Sequence, residues 1–388
     1  MTNTLQRSPE ETGEHYFKRM LALKCLEGWT WQELADILNE EFDWNLSSDA
    51  YRKRASKVKD LAPADEEDFD IELDEVIKER IKLRDERNQI NSIARRITRE
   101  ETLKEMVKEA VSMMDETFKL LPTCPPQKEN ATKAGILQLS DLHYGIEIDN
   151  YWNKYNPEIC KGRLSKLRDK VIEIAEKEHI RDLYVINLGD LISGRIHAPL
   201  RINSRMDVVS QTQQISELVA QFLAELSRHF DKIEYYDCLD NHSRVEPIKE
   251  KSLELESLAR FVAWYLKERL RDFRNIIIND VNKYAPDIIT FRLFTHKIVG
   301  VHGDKDKPSN VVQNMSLMTK EHYDLVLTSH RHHFSADEIN QTLLISNGSM
   351  MGTDDYAEKL RLNASPSQNL IVTTPENVMD VLYRIVLH

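Results

Sequence analysis

Five short apolar runs in the carboxyl-terminal two thirds of this 388-residue chain each end in aspartate, asparagine or histidine. The runs cover residues 136–140, 183–188, 233–239, 297–301 and 325–329. They have the length of strands and are separated by stretches of helical pattern, which predicts an α/β domain over residues 134–388. Ligands bind at the carboxyl edge of strands in open α/β sheets, so polar residues between positions 141 and 333 can converge on one site.

The residues at the ends of these runs have the chemistry of metal ligands. They are Asp141 and His143, Asp190, Asp240 to His242, His302, and the histidines at positions 330, 332 and 333. Carboxylate and amide oxygens mixed with imidazole nitrogens suit Mn, Fe or Zn, while the absence of cysteine from the set disfavours a structural zinc. The set is too large for one ion. A carboxylate between two ions can bridge them at about 3.5–4 Å, and Asp190 is our candidate for that role.

Each of these fragments is weak evidence on its own. An Asp-x-His triplet or a Gly-Asp pair occurs by chance in most chains of this length, and a lone His302 is more often a core or turn histidine. The histidines between positions 330 and 333 also fit a surface loop that scavenges metal. Their joint occurrence in order, each directly after a strand-like run, favours a metal centre over these alternatives.

Residues 1–62 have a helical period and predict a small all-α domain. We expect one helix over residues 15–26, ending at Gly28, and a second after a capping box formed by Thr30 and Glu33. A third helix is expected to begin at Ser47 or the residue after it. We expect the tryptophans of this domain to belong to its core, at positions 29, 31 and 44.

The third of these helices is basic, and its cations are Arg52, Lys53, Arg54 and Lys57. Two helices joined by a short turn, the later one basic, fit a helix-turn-helix that binds DNA. A three-helix docking module with a solvated basic face fits the same pattern equally well.

Residues 63–121 predict a long helical arm, since the chain contains neither glycine nor proline from Asp65 to Leu121. Apolar residues recur every seven positions, at 76, 83, 90 and 97, but glutamates interrupt the pattern at 79 and 86. The arm is therefore a possible coiled coil through which the chain forms a homo-oligomer. It is locally basic between positions 78 and 104, and we favour a solvated helix with internal ion pairs as the explanation of that stretch. Residues 122–133, with three prolines, predict a linker.

The composition and charge exclude several classes of protein. The net charge is −12, which argues against a protein that coats nucleic acid by bulk charge. No amino-terminal apolar segment resembles a secretory signal, and no run approaches the roughly 18 apolar residues of a membrane span. The four cysteines are widely spaced, which indicates free thiols in a reducing compartment. We expect a cytoplasmic protein with no membrane partner.

The ordered motifs resemble the signature of the calcineurin-like metallophosphoesterase superfamily, which reads DxH, GD, GNH(D/E), H and GHxH. The likeness extends over about residues 130–388 and implies a two-sheet sandwich flanked by helices. By position, the resemblance implies that Asp141, His143, Asp190 and His332 hold one divalent ion, and Asp190, Asn241, His302 and His330 a second. It also implies that His242 contacts the scissile phosphate and stabilises charge or protonates the leaving oxygen.

The resemblance implies hydrolysis of a phosphate ester, in which the two ions neutralise phosphate charge and make hydroxide available near neutral pH for in-line attack. Mn²⁺ is the first candidate for both ions, and Fe, Zn or Mg are the others. Arg195, Arg244 and Arg331 lie beside the ligand motifs and are candidates to bind phosphate oxygens. Salt bridges to nearby carboxylates are an equal alternative for each arginine.

The chain departs from the superfamily signature in three places. In the third motif, Asp240 replaces the usual glycine and Ser243 replaces the usual acidic residue after His242. Ser329 replaces the glycine of the last motif. The segment after Asp190 lacks the second aspartate that orients the catalytic histidine in protein phosphatases of the superfamily. The implied metal ligands are unaffected, whereas the departures disfavour a phosphoprotein phosphatase.

The amino-terminal segments favour the nuclease branch of that superfamily, similar to the Mre11/SbcD-type exonucleases. A helix-turn-helix-like domain and a basic helical stretch would bring a polymeric anion to the metals, whereas a small substrate needs neither. We therefore predict a metal-dependent DNA nuclease of phage or prophage origin that acts in the bacterial cytoplasm. The alternatives are a phosphatase or cyclic-nucleotide phosphodiesterase, and a non-catalytic DNA-binding regulator. Whether a partner ATPase is required, as in the resembled nuclease complexes, stays open.

Overall fold

The computed structural model describes residues 5–58, 132–196, 204 and 206–388, and between the first two ranges residues 82, 83, 86, 87, 90, 105–108, 120 and 122. The chain divides into two compact units, residues 1–93 and 94–388. The predicted helical arm and its heptad pattern lie almost entirely outside the described residues, as does most of the predicted linker.

Residues 5–58 contain three helices, α1 (Gly13–Glu27), α2 (Trp31–Phe42) and α3 (Ser48–Val58). Gly28 follows α1 in the left-handed conformation, at φ 74°, as a glycine at a helix end predicts. The predicted capping box is present at the start of α2. The Glu33 backbone N–H donates to the Thr30 side chain, and the Glu33 carboxylate accepts the Thr30 backbone N–H at 2.6 Å.

These helices pack around one apolar core, whose fully buried members include Tyr16, Met20, Leu34, Leu38 and Tyr51. Trp29 and Trp31 pack against this core, as predicted. The prediction is wrong for Trp44, which is 41% exposed and stacks on Phe42 with ring centroids 4.7 Å apart. Trp44 lies beyond Asp43, the left-handed residue that ends α2, and so leaves the apolar face of that helix.

The second unit is an α/β domain. Its described helices are α4 (Pro157–Glu178), α5 (Val208–Leu226), α6 (Leu258–Arg269), α7 (Val311–Thr319) and α8 (Asp355–Lys359). Its described strands are β1 (Ala134–Leu139), β2 (Ile148–Asp149), β3 (Lys154–Tyr155), β4 (Asp182–Asn187), β5 (Lys232–Asp237), β6 (Ile276–Asn279), β7 (Ile288–Leu293), β8 (His296–Val301), β9 (Leu325–Thr328), β10 (Ser335–Ile339), β11 (Thr342–Ser346), β12 (Ser367–Thr373) and β13 (Val381–Val386). The predicted runs correspond to β1, β4, β5, β8 and β9, so their assignment as strands is confirmed.

Within the described residues these strands form two large sheets and a small hairpin. One sheet has the order β13-β12-β1-β4-β5-β6, the other has the order β10-β11-β9-β8-β7, and β2 pairs with β3. Neighbours among β1, β4, β5 and β6 run parallel, and so do the pairs β8–β9 and β9–β11. The carboxyl ends of the parallel strands therefore gather along one edge of each sheet.

The two sheets pack face to face, because side chains alternate along each strand and one set from each sheet points into a shared core. Ile136 and Ile186 of the first sheet share a core with Ile298 and Leu327 of the second. Leu137 points to the opposite face of the first sheet, where residues of α4, α5 and α6 complete a separate core. Residues of α7 pack on the outer face of the second sheet. The mixed α/β architecture is confirmed, as a two-sheet sandwich with helices on its outer faces.

Two further predictions concern thiols and membranes. Cys160 and Cys238 are free and buried, and burial raises the pKa of the Cys160 thiol to about 11, which fits a packing role. In the part of the chain that the structure describes, no helix has both the length and the apolar character to cross a bilayer.

Candidate metal centre

The strand ends bring the predicted ligands of both sheets together. Asp141, Asp190 and Asn241 follow β1, β4 and β5, which lie side by side in parallel. His302 and His330 follow β8 and β9, which are parallel neighbours in the facing sheet. The topology thus delivers these side chains to the same end of the sandwich, although their sequence positions are far apart.

A first group of side chains consists of Asp141, His143, Asp190 and His332, whose candidate ligand atoms all lie within 4.8 Å of one another. The Nε2 atoms of His143 and His332 are 3.1 Å apart. His332 Nε2 lies 3.4 Å from Asp141 Oδ1, and His143 Nε2 lies 3.7 Å from Asp190 Oδ2. Two carboxylates and two imidazoles that converge in this way form a ligand set suited to a divalent transition-metal ion.

A second group consists of Asp190, His302 and His330, with ligand atoms within the same 4.8 Å. His302 Nε2 lies 3.2 Å from Asp190 Oδ2 and 2.8 Å from Asn241 Oδ1. His330 Nδ1 lies 3.1 Å from the same His302 nitrogen. Asp190 belongs to both groups, so its carboxylate lies between two potential ion positions. The structure thus brings together all seven side chains that the resemblance implied as ligands.

Some of the polar atoms in this cluster lack hydrogen-bond partners within the described part of the chain, and a bound metal ion would take the place of such partners. Asp141 Oδ1 and Asp190 Oδ2 are buried and have no hydrogen-bond partner among the described residues. Leaving a buried carboxylate oxygen unsatisfied costs about 1–3 kcal/mol or more. Both oxygens face imidazole nitrogens of the cluster. Divalent cations held between these oxygens and nitrogens would satisfy both orphaned atoms.

The backbone at the cluster is strained, and the sequence analysis missed this feature. Five ligand residues have left-handed backbones: Asp141, His143, Asp190, His330 and His332 have φ values of 53°, 44°, 55°, 68° and 59°. Such residues cost roughly 1–3 kcal/mol each and concentrate at functional sites, where the surrounding structure holds them in place. Strain at five ligands indicates that the fold is built to present these side chains.

Hydrogen bonds outside the cluster orient its members. His302 Nδ1 donates to the Leu188 carbonyl at 2.7 Å, which leaves Nε2 directed at Asp190. Ser329, one of the departures from the superfamily signature, lies 3.1 Å from the same Nδ1 and donates to the carbonyl of Leu188 at 3.0 Å. Ser329 therefore helps to orient the His302 ring.

A second supporting network holds Asp141. Ser140 Oγ donates to Asp141 Oδ2 at 2.7 Å and accepts from Asn347 Nδ2 at 2.9 Å. Gln368 Oε1 accepts from the Ser140 backbone N–H and from Asn347, both at 2.9 Å. The sequence analysis did not identify Asn347, although it follows the apolar run of β11 just as the predicted ligands follow theirs.

His242 lies at the edge of the cluster with a defined orientation. Its Nδ1 donates to the Ser193 carbonyl at 2.7 Å, and its Nε2 lies 3.8 Å from Asp190 Oδ2. The ring meets the His143 ring edge to face, with centroids 4.5 Å apart. A backbone carbonyl thus fixes Nδ1, and the Nε2 edge stays directed at the centre.

Charges in the centre shift the pKa values of its members in opposite directions. Burial favours a neutral Asp190, but the nearby His242 and His302 outweigh burial and hold the pKa of this carboxyl well below its usual range. Burial disfavours a charged His302, yet the negative charge of the nearby Asp190 raises its pKa to about 10. Burial lowers the pKa of His143 well below its usual value. An ionised carboxylate beside a protonated imidazole is a pairing that a divalent cation replaces, with release of the proton.

The three arginines proposed to bind phosphate differ in their surroundings. Arg195 donates from Nε to the Val245 carbonyl at 3.1 Å and from Nη2 to the same oxygen, so part of its guanidinium braces the loop after His242. Arg244 is half-buried, and its Nε has no hydrogen-bond partner among the described residues. Arg331 is exposed between two cluster histidines. Arg331 therefore presents its guanidinium to solvent beside the cluster, whereas the unpaired Nε of Arg244 is buried.

The basic residues proposed to bind DNA lie on α3. Arg52 is exposed and pairs with Asp49 at 3.1 Å. The Arg54 guanidinium lies over the rings of Phe17 and Trp44, 5.3 and 5.5 Å from their centroids, so its charge is partly engaged within the unit. Lys53 is exposed. The Lys57 side chain lies outside the described residues.

Comparison with known proteins gives one relative over nearly the whole length and several weak structural likenesses. No protein-family model matches the chain. The SPbeta prophage-derived uncharacterized protein YonJ of Bacillus subtilis strain 168 is 26% identical over 387 residues, which is 95% of this chain and 94% of that protein.

Three solved structures illustrate the structural likenesses. An archaeal phosphodiesterase has 16% identity and a TM-score of 0.33, over 65% of this chain and 99% of that one. Vps29 of Cryptosporidium parvum has 16% identity and a TM-score of 0.33, over 66% and 99%. Vps29 of Entamoeba histolytica, complexed with Zn²⁺, has 11% identity and a TM-score of 0.29, over 66% and 99%. Because these scores are low, the interpretation of the site depends on the ligand geometry of the chain itself.

Proposed function

We propose that this chain is a two-metal phosphodiester hydrolase of the calcineurin-like metallophosphoesterase superfamily that acts on DNA. The observation that carries the proposal is the position of Asp190. Its buried Oδ2 has no hydrogen-bond partner among the described residues and faces imidazole nitrogens of both ligand groups. A carboxylate shared in this way is the bridging ligand that a pair of divalent ions requires.

Each ligand group would hold one ion. Asp141, His143 and His332 would bind the first with Asp190, and Asn241, His302 and His330 would bind the second with the same carboxylate. When bound, a pair of divalent ions neutralises phosphate charge and lowers the pKa of water, with Mn²⁺ the first candidate and Fe, Zn or Mg the others. The strained loops would keep the ligands in place before the substrate arrives.

His242 would act on the substrate and not on a metal. Its Nδ1 donates to the Ser193 carbonyl, which fixes the ring, and its Nε2 edge is directed at the shared carboxylate. In this position Nε2 can donate to a phosphate oxygen or protonate the leaving oxygen of the ester. Arg244 and Arg331 would bind the remaining phosphate oxygens by charge-assisted hydrogen bonds.

Two observations support DNA as the substrate. Residues 5–58 of the amino-terminal unit contain three helices, and the third carries exposed Arg52 and Lys53, as a helix-turn-helix would. The relative from the SPbeta prophage covers nearly the whole chain, which supports a phage origin, where DNA processing is a common need. A phosphatase would have no use for the basic helix, whereas a nuclease would use it to bind the polyanion.

The activity is tested on purified full-length protein with Mn²⁺, Mg²⁺ or Zn²⁺, and with EDTA. Substrates are supercoiled, linear and single-stranded DNA, bis-p-nitrophenyl phosphate as a diester, and p-nitrophenyl phosphate as a monoester. We expect metal-dependent cleavage of DNA and of the diester, and its loss in EDTA. Cleavage of the monoester alone would exclude a nuclease. Absence of cleavage with every metal would favour a non-catalytic DNA-binding protein.

The role of α3 is tested with a double variant, Arg52→Ala with Lys53→Ala, whose side chains are exposed and leave the core intact. We expect slower cleavage of DNA and unchanged cleavage of the small diester, because only the polymer reaches the helix. Lys170→Ala, an exposed lysine of α4, is the control. An equal loss on both substrates would show that α3 does not capture DNA.

A further inference from the structure

The side chain of Gln211 lies in the first turn of α5, outside the loops that supply the candidate metal ligands. It is buried, with 1% of its surface exposed. Its Oε1 accepts the Gly194 backbone N–H at 3.0 Å, and its Nε2 donates to Ser204 Oγ and to the Met206 carbonyl at 2.8 and 2.9 Å. Since the Gly194 N–H can only donate and the Met206 carbonyl can only accept, the amide has one possible orientation.

The hydrogen bond to Gly194 fixes a peptide group that also binds His242. The Gly194 N–H and the Ser193 carbonyl belong to one planar, trans peptide unit, in which the two bonds point in opposite directions. That carbonyl accepts the His242 Nδ1–H at 2.7 Å. Gln211 and His242 therefore bind opposite ends of one rigid group, so the amide that holds the N–H end also sets the direction of the carbonyl.

The same peptide approaches the backbone of His242 closely and has little stiffness of its own. A Cβ atom at Gly194 would lie 2.1 Å from the His242 carbonyl oxygen, so glycine is required here. Glycine adopts many backbone conformations, so an outside contact is needed to hold this peptide in one orientation. The Tyr144 carbonyl accepts the Ser193 N–H at 3.1 Å and holds the preceding peptide. The Gly194 N–H is held by Gln211.

The other end of the Gln211 amide is anchored to the loop that carries His143. Ser204 Oγ, which accepts from Gln211, donates to the Gly145 carbonyl at 2.7 Å. Gly145 lies in the loop that follows β1, close in sequence to His143. Gln211 thus joins two loops of the metal centre through buried hydrogen bonds, and neither loop includes α5.

We propose that Gln211 is a positioning residue for His242 and that it acts through the Ser193–Gly194 peptide. This inference rests on the proposed function, in which the Nε2 edge of His242 faces the phosphate. Hydrogen bonds in a chain polarise one another, so the amide also makes the Ser193 carbonyl a stronger acceptor for the imidazole N–H. Without the amide the carbonyl is free to turn, and the His242 ring loses the contact that directs Nε2 at the centre.

Gln211→Met keeps the length of the side chain and removes its hydrogen bonds. With bis-p-nitrophenyl phosphate and Mn²⁺ we expect kcat to fall by about 10- to 100-fold, as for a reacting group displaced by about 1 Å. KM should change by less than about 3-fold, because the contact acts in the transition state. The control is Gln221→Met, the same change further along α5 at a side chain that donates to Glu217 at 3.0 Å, and its kcat should be unchanged.

Two other changes at Gln211 separate positioning from stability. Burial should keep the carboxyl of Gln211→Glu protonated, so it retains an acceptor for the Gly194 N–H and a donor for the Met206 carbonyl. We therefore expect Gln211→Glu to recover most of the lost kcat, even where its melting temperature is lower. Gln211→Asn keeps an amide but withdraws it by one methylene, and it replaces Gln211→Met if thermal unfolding shows that the latter is not folded. An unchanged kcat in the folded variant would overturn the proposal.

A double-mutant cycle tests whether Gln211 acts through His242. If it does, Gln211→Met should lower the kcat of the His242→Ala protein by less than about 3-fold, because the group that it positions is already absent. A loss as large as in the natural protein would show that Gln211 acts on another part of the site, and the proposal would be wrong.

The His242 ring is also observed without turnover, by NMR of Zn²⁺-loaded protein labelled with ¹⁵N-histidine. A ring N–H that donates to a buried carbonyl exchanges slowly with water, and the His242 signal is assigned by its absence from His242→Ala. We expect this signal to be shifted or lost in Gln211→Met and unchanged in Gln221→Met. An unchanged signal in Gln211→Met, or no such signal in the natural protein, would overturn the proposal. Failure of the proposed hydrolase is recognised separately, as absence of cleavage by the natural protein.

Discussion

Ser243 donates two hydrogen bonds to the buried carboxylate of Asp240, from its backbone N–H at 2.7 Å and from Oγ at 2.9 Å. These are two of the positions at which the chain departs from the superfamily signature, and they flank Asn241 and His242. The departures therefore compensate each other. Gly189 packs directly on Asp240, since a Cβ atom at Gly189 would lie 2.5 Å from the Asp240 Cβ.

The Asp240–Ser243 pair predicts the effect of Ser243→Ala. The variant keeps the backbone hydrogen bond but removes one donor from a buried carboxylate, which we expect to cost about 1–3 kcal/mol of unfolding free energy. Affinity for one of the two ions should also fall, because the pair holds the loop that carries Asn241. Thermal unfolding and metal titration test both effects. Unchanged stability and unchanged binding of both ions would show that the pair does not support the loop.

His242→Ala tests the assignment of His242 to the substrate. We expect kcat to fall by about 10²- to 10⁴-fold, the usual contribution of a positioned acid or base. Bound metal should stay at two ions per chain, measured by elemental analysis of the protein after removal of free metal. A His242→Ala protein with fewer ions would show that this side chain is a ligand.

Asp237 predicts a pH-dependent stability. Burial raises the pKa of this carboxyl to about 7, although Asn187 and Tyr235 both donate to Oδ1. The folded pKa exceeds the unfolded value near 3.9, so the resulting stability is complete below about pH 4 and is lost as the pH rises through about 7. Asp237→Asn keeps the acceptor and removes the titration. At pH 8 we expect the variant to unfold at a higher temperature than the natural protein.

The size of that effect follows from the same linkage. A folded pKa of about 7 against an unfolded value of about 3.9 corresponds to about 4 kcal/mol at pH 8, or roughly 10 °C in melting temperature for a domain of this size. The difference should shrink as the pH falls toward 4, where both proteins carry a neutral side chain. Scanning calorimetry between pH 4 and pH 9 provides the measurement. A difference that does not vary with pH would contradict the raised pKa.

Two ligand variants distinguish a shared carboxylate from ordinary ligands. We expect Asp190→Asn to weaken the binding of both ions, because the Asp190 carboxylate belongs to both ligand groups. His332→Ala should weaken the binding of one ion and leave the binding of the other unchanged. The affinity for each affected ion should fall by more than about 10- to 100-fold, which is the usual effect of removing a residue that only supports a ligand. Calorimetric titration with Mn²⁺ resolves the two cases. Loss of only one ion in Asp190→Asn would exclude its bridging role.

The sequence predicted the strands and the side chains that meet in the candidate metal centre because both depend on local patterns. An apolar run followed by Asp, Asn or His is visible in a single segment, and the parallel arrangement that makes such segments converge is a general property of α/β sheets. Ser329 and Ser243 were also visible, as departures from the signature. Their partners, Leu188 and Asp240, could be assigned only from the structure.

Other features depend on contacts between distant segments. The network of Ser140, Asn347 and Gln368 joins β1 to residues more than 200 positions away. The left-handed backbones of the clustered residues occur in the loops that follow the strands, and nothing in the residue types required them.

The most direct measurement is anomalous X-ray diffraction at the manganese edge from crystals of the full-length protein grown with Mn²⁺. The account predicts two anomalous peaks about 3.5–4 Å apart, with the Asp190 carboxylate between them. His332 and Asp141 should lie at one peak, and His302 and Asn241 at the other. A single peak, or two peaks that do not share Asp190, would contradict the two-metal centre.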